Sequence, residues 1–483
     1  MMYRQKFDTF IRQYGDVGYI VNKSGFGDRV FDASGAVFIK ALSRTTRQLD
    51  EIVDTIASSF IGAPKNMLRQ DAIDFYKMLE EDGFIVSGET EEDIERKDSR
   101  FSYTAFKQKA IKKDFLPVIL RTERTSQEFL DEHFKGAHHL TSLQIELTSR
   151  CNERCIHCYI PHENKICDIE SSLFYDTLDQ CREMGVLDLK LSGGEPMLHK
   201  NFIDFLGKAK ECDLSVTVLS NLTLLNSDII AEMKANRLAS IQVSLYSMKK
   251  EIHEYITQLP GSFEKTKNAI LELIKNDIML QISCPVMKQN KESYVDVLAW
   301  AEKHNVPIET DYIMMARSDK TTDNLENRLS LDETDALLRD IISHDTNYQM
   351  NLLKNDIMDL EKKDTGNDML CSVCITSLCM VANGNVYPCA GWQDYVCGNL
   401  RETPLREIWE NSPKVKYLRG LRKKDFPQCL KCKDKAFCAM CMVRNANENP
   451  EGDPLKINEH FCKVAALNRN IVLNWKEKIL AKK

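Results

Sequence analysis

The spacing of hydrophobic and polar positions changes twice along the chain. Up to about residue 95, two short β-like runs come first, Tyr19-Ile20-Val21-Asn22 and Arg29-Val30-Phe31-Asp32. Helical spacing follows, with Leu49, Ile52, Val53 and Ile56 at i, i+3, i+4 and i+7. A second helix is predicted from about Arg69 to Glu81, stopped by Gly83, and Phe84-Ile85-Val86 then reads as a strand. Two strands, helices and a closing strand suggest a small winged-helix-like module over residues 1–95. The stretch Glu89 to Lys113 is charged and aperiodic and reads as a linker, so 96–140 is drawn as the connection.

From Leu143 the pattern alternates strand and helix. Strands are expected at Leu143–Leu147, Leu187–Leu191, Val216–Leu219, Ile241–Leu245, Leu280–Ile282 and Val306–Ile308. Helices are expected at Leu173–Met184, Phe202–Cys212, Ile229–Lys234 and Phe263–Lys275. Six such units imply a parallel sheet wrapped by helices, an α/β fold of the partial (β/α)6 TIM-like barrel kind, drawn over 141–345. The remainder, 346–483, is rich in Cys, Gly, Asn and Pro from Cys371 onward and poor in periodic segments. Metal rather than a large apolar core is expected to organise it.

Composition narrows the chemistry. With 483 residues, 43% hydrophobic and 28% charged, the chain can bury a core in each of several domains. A formal net charge of −7 and the lack of a long basic block before Lys476 to Lys483 argue against nucleic acid. No apolar run is long enough to span a membrane, and the first residues lack the apolar core of a signal peptide, so a cytoplasmic protein is expected. A reducing compartment disfavours disulfides, so the 17 cysteines point to metal. Seven lie at or before Cys284 and ten between Cys371 and Cys462. Scattered ones such as Cys181, Cys212 and Cys284 suit small core positions.

Cys151, Cys155 and Cys158 follow the first expected strand directly, in the loop at the carboxyl end of the barrel. Three thiolates can hold three corners of a [4Fe–4S] cube and leave one iron open to a small molecule. A structural zinc site would prefer four closed ligands. This CxxxCxxC resembles the signature of the radical S-adenosylmethionine superfamily. The resemblance implies that the open iron binds S-adenosylmethionine and that a 5′-deoxyadenosyl radical forms. It also implies an aromatic near the adenine, here His157 with Tyr159 beside it. After the second strand, Ser192-Gly193-Gly194-Glu195-Pro196 matches the family's GGE motif, whose backbone and Glu take the cofactor's amino group. Ser220, Ser244, Asn290 and Arg317, at or after later strand ends, would by the same resemblance touch ribose or carboxylate.

In the C-terminal region, Cys371 is followed by twelve residues, Gly384, four residues and Cys389, then by Cys429-x2-Cys432-x5-Cys438-x2-Cys441 and Cys462. This resembles the SPASM extension, with x2 where x3 is usual before Cys441. The resemblance implies one auxiliary [4Fe–4S] cluster on Cys429, Cys432, Cys438 and Cys462. A second would rest on Cys371, Cys389 and Cys441, with Cys397 the first choice for a fourth ligand, Cys374 and Cys379 the other nearby options, and an open iron the remaining alternative. Three clusters are expected in all.

Residues 1–95 resemble the leader-peptide recognition element of ribosomal-peptide maturases, related to the carrier chaperone of pyrroloquinoline quinone biosynthesis. Such elements take a peptide as an added strand. Together these resemblances imply an oxidoreductase-type enzyme that abstracts hydrogen from a ribosomally made precursor peptide and installs a cross-link, most often a thioether from Cys. An electron donor of flavodoxin or ferredoxin type is implied. Alternatives are Cα epimerisation, with Cys284 or Cys397 as hydrogen donor, a carbon–carbon link, or a non-catalytic electron carrier or peptide scaffold.

Overall fold

The computed structural model describes residues 1–25, 27–104, 112–113, 137–161, 167–354, 366–367, 369–438 and 440–481. The amino-terminal module holds strands β1 (Met2–Gln5), β2 (Thr9–Tyr14), β3 (Val17–Asn22), β4 (Gly27–Phe31), β5 (Arg47–Gln48) and β6 (Ile85–Gly88). They form two antiparallel three-stranded sheets, β2-β3-β4 and β5-β1-β6. Helices Ala33–Lys40, Leu49–Ala57 and Lys65–Glu81 close over them. Ile20, Ile39, Ile52, Ile56, Tyr76 and Leu79 form the module's own buried core.

Two features of the module depart from expectation. Strands β1, β2 and β5 and helix Ala33–Lys40 are additional, and the expected linker begins with a helix, Glu91–Lys97. That helix buries only Ile94, but Thr90 caps it, three acids fill its first turn and Arg96 and Lys97 end it, all matched to the helix dipole. Most of residues 105–136 of the expected connection lies outside the described residues.

The main sheet adds β7 (Lys112–Lys113), β8 (Ser142–Thr148), β9 (Asp188–Gly193), β10 (Ser215–Ser220), β11 (Leu238–Ser244), β12 (Leu280–Pro285), β13 (Ile308–Asp311), β14 (Ser377–Met380), β15 (Asn385–Tyr387) and β16 (Gly398–Asn399). Its order is β16-β15-β14-β8-β9-β10-β11-β12-β13-β7. Strands β8 to β13 run parallel and in sequence order, each pair joined through a helical segment, which is the six-unit partial barrel. β14 pairs parallel with β8, so the C-terminal region continues the sheet before β15 turns back antiparallel. The C-terminal helix Glu459–Leu480 returns over the barrel and packs on Leu331–His344.

Along each barrel strand alternate residues face opposite ways. Leu143, Ile145, Leu189, Leu191, Ile241, Val243, Leu280 and Ile282 are sealed against the helical layer. Gln144, Glu146, Lys190, Gln242, Ser244, Gln281, Ser283 and Glu309 take the other face, giving the barrel a polar interior. Cross-strand bonds such as Gln144 Nε2 to Ser192 Oγ at 2.8 Å and Gln281 Nε2 to Glu309 Oε2 at 3.0 Å knit that face.

The module is fixed to the barrel. Arg12, Arg44 and Arg237 converge on Asp213, Lys23 pairs with Asp188 at 2.7 Å, and Tyr14 Oη donates to the Gly185 carbonyl at 3.1 Å. Phe10, Tyr14, Tyr19 and Val21 bury a small core with Leu187. These contacts lie at the amino ends of β9 and β10, opposite the loops that carry the cysteine and GGE motifs. No described helix is long and apolar enough to cross a membrane.

Candidate functional site

The loop after β8 carries Cys151, Cys155 and Cys158, all half-buried. Thr148 Oγ1 donates to Asp168 Oδ1 at 2.6 Å, and the Arg150 guanidinium grips both Asp168 oxygens at 2.9 and 2.6 Å. Farther along, Arg154 N and Ile156 N donate to the Thr257 and Ile256 carbonyls at 3.0 Å each. Asn327 Nδ2 reaches the Ile156 carbonyl at 3.1 Å, Asn324 Nδ2 the His157 carbonyl at 3.4 Å, and Ser318 N the Tyr159 carbonyl at 2.8 Å. The loop is therefore held by segments far apart in the chain.

Within it, the Cys155 thiol donates to Glu153 Oε2 at 3.3 Å. Burial, then Glu153, then the thiols of Cys158 and Cys151 push the Cys155 pKa well up. A cation seated among these groups would reverse that, because metal stabilises the thiolate outright. Among the described residues no three His, Cys, Asp or Glu side chains are drawn close enough to hold a single metal ion.

The GGE turn is shaped by its neighbour loop. A Cβ on Gly193, whose φ is +139°, would lie 2.2 Å from the Thr148 carbonyl oxygen, and one on Gly194 2.2 Å from that of Arg150. Only glycine allows the two backbones this close, with Gly194 N donating to Thr148 O at 2.8 Å and Glu195 N to Arg150 O at 2.9 Å. Glu195 is fully buried and accepts from Met197 N at 3.1 Å, Ser220 Oγ at 2.8 Å and Asn221 N at 2.8 Å. Burial outweighs these bonds and raises its pKa to about 7. Gly193, Gly194, Glu195 and Ser220, expected at the cofactor, tie three loops together. Asn221 Nδ2 extends the tie to Asn152 Oδ1 at 3.0 Å, and Asn152 Nδ2 to Thr223 Oγ1 at 2.7 Å.

The other expected contacts divide. His157 meets Tyr246 edge-on, ring centroids 5.0 Å apart and Nε2 3.3 Å from the Tyr246 oxygen, and half-buried Ser244 is two residues away on β11. Tyr159 is raised well above its usual pKa by burial first, then by Glu146 and the thiols of Cys379, Cys158 and Cys389. It thus stands between the first cysteine loop and the C-terminal cysteines. Asn290 is buried and braces backbone: Nδ2 donates to Tyr246 O at 2.9 Å and Pro285 O at 3.0 Å, and Oδ1 accepts from Met287 N at 2.8 Å. Arg317 forms an ion pair with Asp323 at 2.9 Å. Among the described residues, Arg317 keeps its buried Nε without a hydrogen-bond partner beside that ion pair. Cys284 is sealed on the helical side of β12, where it cannot give a hydrogen atom to anything in the barrel interior.

In the C-terminal region Cys429, Cys432, Cys438 and Cys462 line one cavity of about 100 Å³ together with Lys423, Leu430, Lys435, Met440 and Ala465. Burial pushes Cys429 up to about 11 and Cys438 to about 12, with the neighbouring thiols adding to both. Cys371, Cys389 and Cys441 form a second group: Cys441 and Cys371 both raise Cys389, which reaches about 11, mainly through burial. Cys397, the first choice for a fourth ligand, lies beside Cys374, which itself neighbours Cys371. Cys397 is buried and hydrogen-bonds and raises the Cys374 thiol, while Cys379 lies beside Cys389. Missed from sequence were Asn152, Tyr246, Asn324 and Asn327, whose partners lie dozens of residues away and leave no local spacing to read.

Residues 145–301 match the radical SAM superfamily, and residues 370–434 match SPASM, the iron-sulfur cluster-binding domain. The chain is 27% identical over 322 residues to the AdoMet-dependent heme synthase of Methanosarcina barkeri, covering 62% of this chain and 90% of that protein. It is 26% identical over 323 residues to the antilisterial bacteriocin subtilosin biosynthesis protein AlbA of Bacillus subtilis, covering 63% and 68%. Among solved structures, Streptococcus suis SuiB bound to precursor peptide SuiA superposes with a TM-score of 0.62 at 15% identity, covering 95% of this chain and 99% of that one. The AdoMet-bound anSMEcpe follows at 0.55 and 16%, covering 71% and 95%. At these identities the likeness is one of fold.

Proposed function

We propose that this chain, a radical SAM enzyme with a SPASM domain, modifies a ribosomally made precursor peptide. The observation that carries the reading is the joining of two features in one fold. A CxxxCxxC loop stands at the carboxyl end of the first barrel strand, and a module with an edge strand is fixed to the opposite end of the barrel. The heme synthase of M. barkeri supports a tetrapyrrole substrate instead, but that likeness covers 62% of this chain. The likeness to peptide-bound SuiB covers 95% and includes the module. The module favours the peptide.

The donor set suits the implied groups. Cys151, Cys155 and Cys158 would hold the first cluster, Cys429, Cys432, Cys438 and Cys462 an auxiliary one, and Cys371, Cys389 and Cys441 another. Cys374 or Cys379 is better placed than Cys397 as a fourth thiol there. When bound, the first cluster and S-adenosylmethionine supply a hydrogen-abstracting 5′-deoxyadenosyl radical. The chain's part is positioning. Glu195, Ser220 and Asn221 fix the GGE turn against the cysteine loop; His157 and Tyr246 wall the space beside it; Gln144, Glu146, Lys190 and Gln242 offer polar contacts to a peptide in the barrel.

The leader would join β4, which among the described residues pairs on one side only, with β3. Beside it runs the flank of helix Lys65–Glu81, where Phe75 packs on Phe31 at 5.0 Å and Met67, Asp71, Asp74 and Met78 are exposed. Added-strand bonds would give affinity and this flank register. The bond installed is proposed as a thioether from a peptide Cys, with carbon–carbon linkage as the rival. Mass spectrometry of a co-produced precursor tests this: loss of two hydrogens and protection of one Cys from alkylation are expected, and loss of two hydrogens with every Cys still alkylated overturns the thioether.

A further inference from the structure

The cavity bounded by Cys429, Cys432, Cys438 and Cys462 lies under a collar of basic side chains. Between Arg422 and Cys438 there are six basic residues, Arg422, Lys423, Lys424, Lys431, Lys433 and Lys435, against two acids, Asp425 and Asp434. That excess is local, in a chain whose formal net charge is −7. Lys423 and Lys435 line the cavity itself, and Lys424, Lys431 and Lys433 stand exposed around it. Exposed Glu459, from the C-terminal helix, is a third acid in reach, and its charge with that of Asp434 acts on Cys462, so six bases face three acids. Asp434 is largely buried and faces Arg469 at 3.8 Å, and Asp425 accepts from the Arg422 backbone at 2.7 Å. Cys462 is exposed, so the thiol-lined cavity reaches the surface. The loop of Cys151, Cys155 and Cys158 has no exposed thiol, and its backbone is bonded to Asn324, Asn327 and the Ile256–Thr257 segment.

We propose that this collar is the docking surface of an acidic one-electron carrier, a small flavin protein, and that reducing equivalents enter here. The inference rests on the cavity holding a cluster, as in the functional reading above. An exposed redox centre ringed by lysines draws an anionic partner from a distance and orients it, and it repels a cationic one. The transfer itself is simple. A flavin hydroquinone anion loses one electron and becomes the neutral semiquinone, and an oxidised four-iron cluster of 2+ core charge gains that electron and becomes 1+; no atom or proton changes hands.

The test uses the reconstituted holoenzyme and purified flavodoxin, with neither peptide nor S-adenosylmethionine present. Lys424, Lys431 and Lys433 are replaced together by Glu, and in separate variants by Arg and by Gln. Binding of oxidised flavodoxin is followed by calorimetry, and oxidation of its hydroquinone by stopped flow. At about 0.05 M salt the Glu variant is expected to lose ten-fold or more in both affinity and rate. The Arg variant keeps both, and about 0.5 M salt brings the wild type down towards the Glu variant. The Gln variant, which adds no negative charge beside the thiols, should fall in the same direction even where the Glu variant loads less iron. Unchanged binding and rate in the Glu and Gln variants overturn the proposal. So does equal affinity for a single-stranded RNA, which would make the collar a generic anion surface. If the cavity cysteines bind no iron, it is the cluster assignment that fails; if they bind iron and flavodoxin ignores the collar, only the docking surface does.

Discussion

Gly194 gives the sharpest residue-level expectation. Its missing Cβ would overlap the Arg150 carbonyl oxygen, a backbone atom that cannot step aside without moving the cysteine loop. Gly194→Ala should cost about 3 kcal/mol and lower the iron bound at the first site, read from thermal unfolding and iron content together. Glu195 gives a pH signature. Its pKa, raised from the usual 4.5 to about 7 by burial, means that the folded state holds a proton that the unfolded state has already released. Stability from this group is full below about 4.5 and is lost as pH rises through 7, by roughly 3 kcal/mol across the interval. Glu195→Gln should flatten that slope in unfolding curves taken between about pH 5 and pH 7.5; an unchanged slope would assign it to other groups. Both residues were legible as a motif because they are contiguous. Their work as braces was not, since the atoms that need them belong to residues 148–150 and 220–221, supplied by other strands.

At the scale of elements, legibility followed burial. Five barrel strands and the four expected barrel helices were readable because Leu, Ile and Val recur at sealed positions with the right period. The sixth strand, expected at Val306–Ile308, lies at Ile308–Asp311, and helices Leu331–His344 and Glu459–Leu480 went unread. β1 and β2 were not readable either, since MYRQ and TFIRQY mix polar side chains into both faces. Helix Glu91–Lys97 carries a single buried residue and owes its form to caps and charge, so it read as linker. The edge strand β4 and the helix beside it give this scale its test. Met67 and Met78 are exposed, 59% and 37%, so replacing both with Glu should leave the fold intact. Affinity for a labelled leader peptide, measured by anisotropy, should fall ten-fold or more while cofactor cleavage without peptide is unchanged. Equal affinity would move the leader off this flank.

The whole molecule joins its parts more firmly than the hydrophobic pattern suggested. An amino-terminal truncation near Phe101 would strip Arg12 and Arg44 from Asp213 and bare Leu187. Point changes on the module's outer flank are the cleaner probe. Because the module sits at the amino ends of β9 and β10, a leader held there is separated from the cysteine loop by the length of the barrel. A strand of six residues spans about 20 Å, so the modified residue should lie at least about six residues from the leader segment; a precursor series with the intervening segment shortened should lose modification below that length. The central claim is that Cys151, Cys155 and Cys158 hold the cluster that cleaves S-adenosylmethionine, and it is tested most directly by replacing all three with Ala. Anaerobically reconstituted wild type should bind about twelve irons as three cubane clusters, and the variant about four fewer. Under dithionite the wild type should form 5′-deoxyadenosine and the variant none. A variant that still forms 5′-deoxyadenosine would contradict the account at its root.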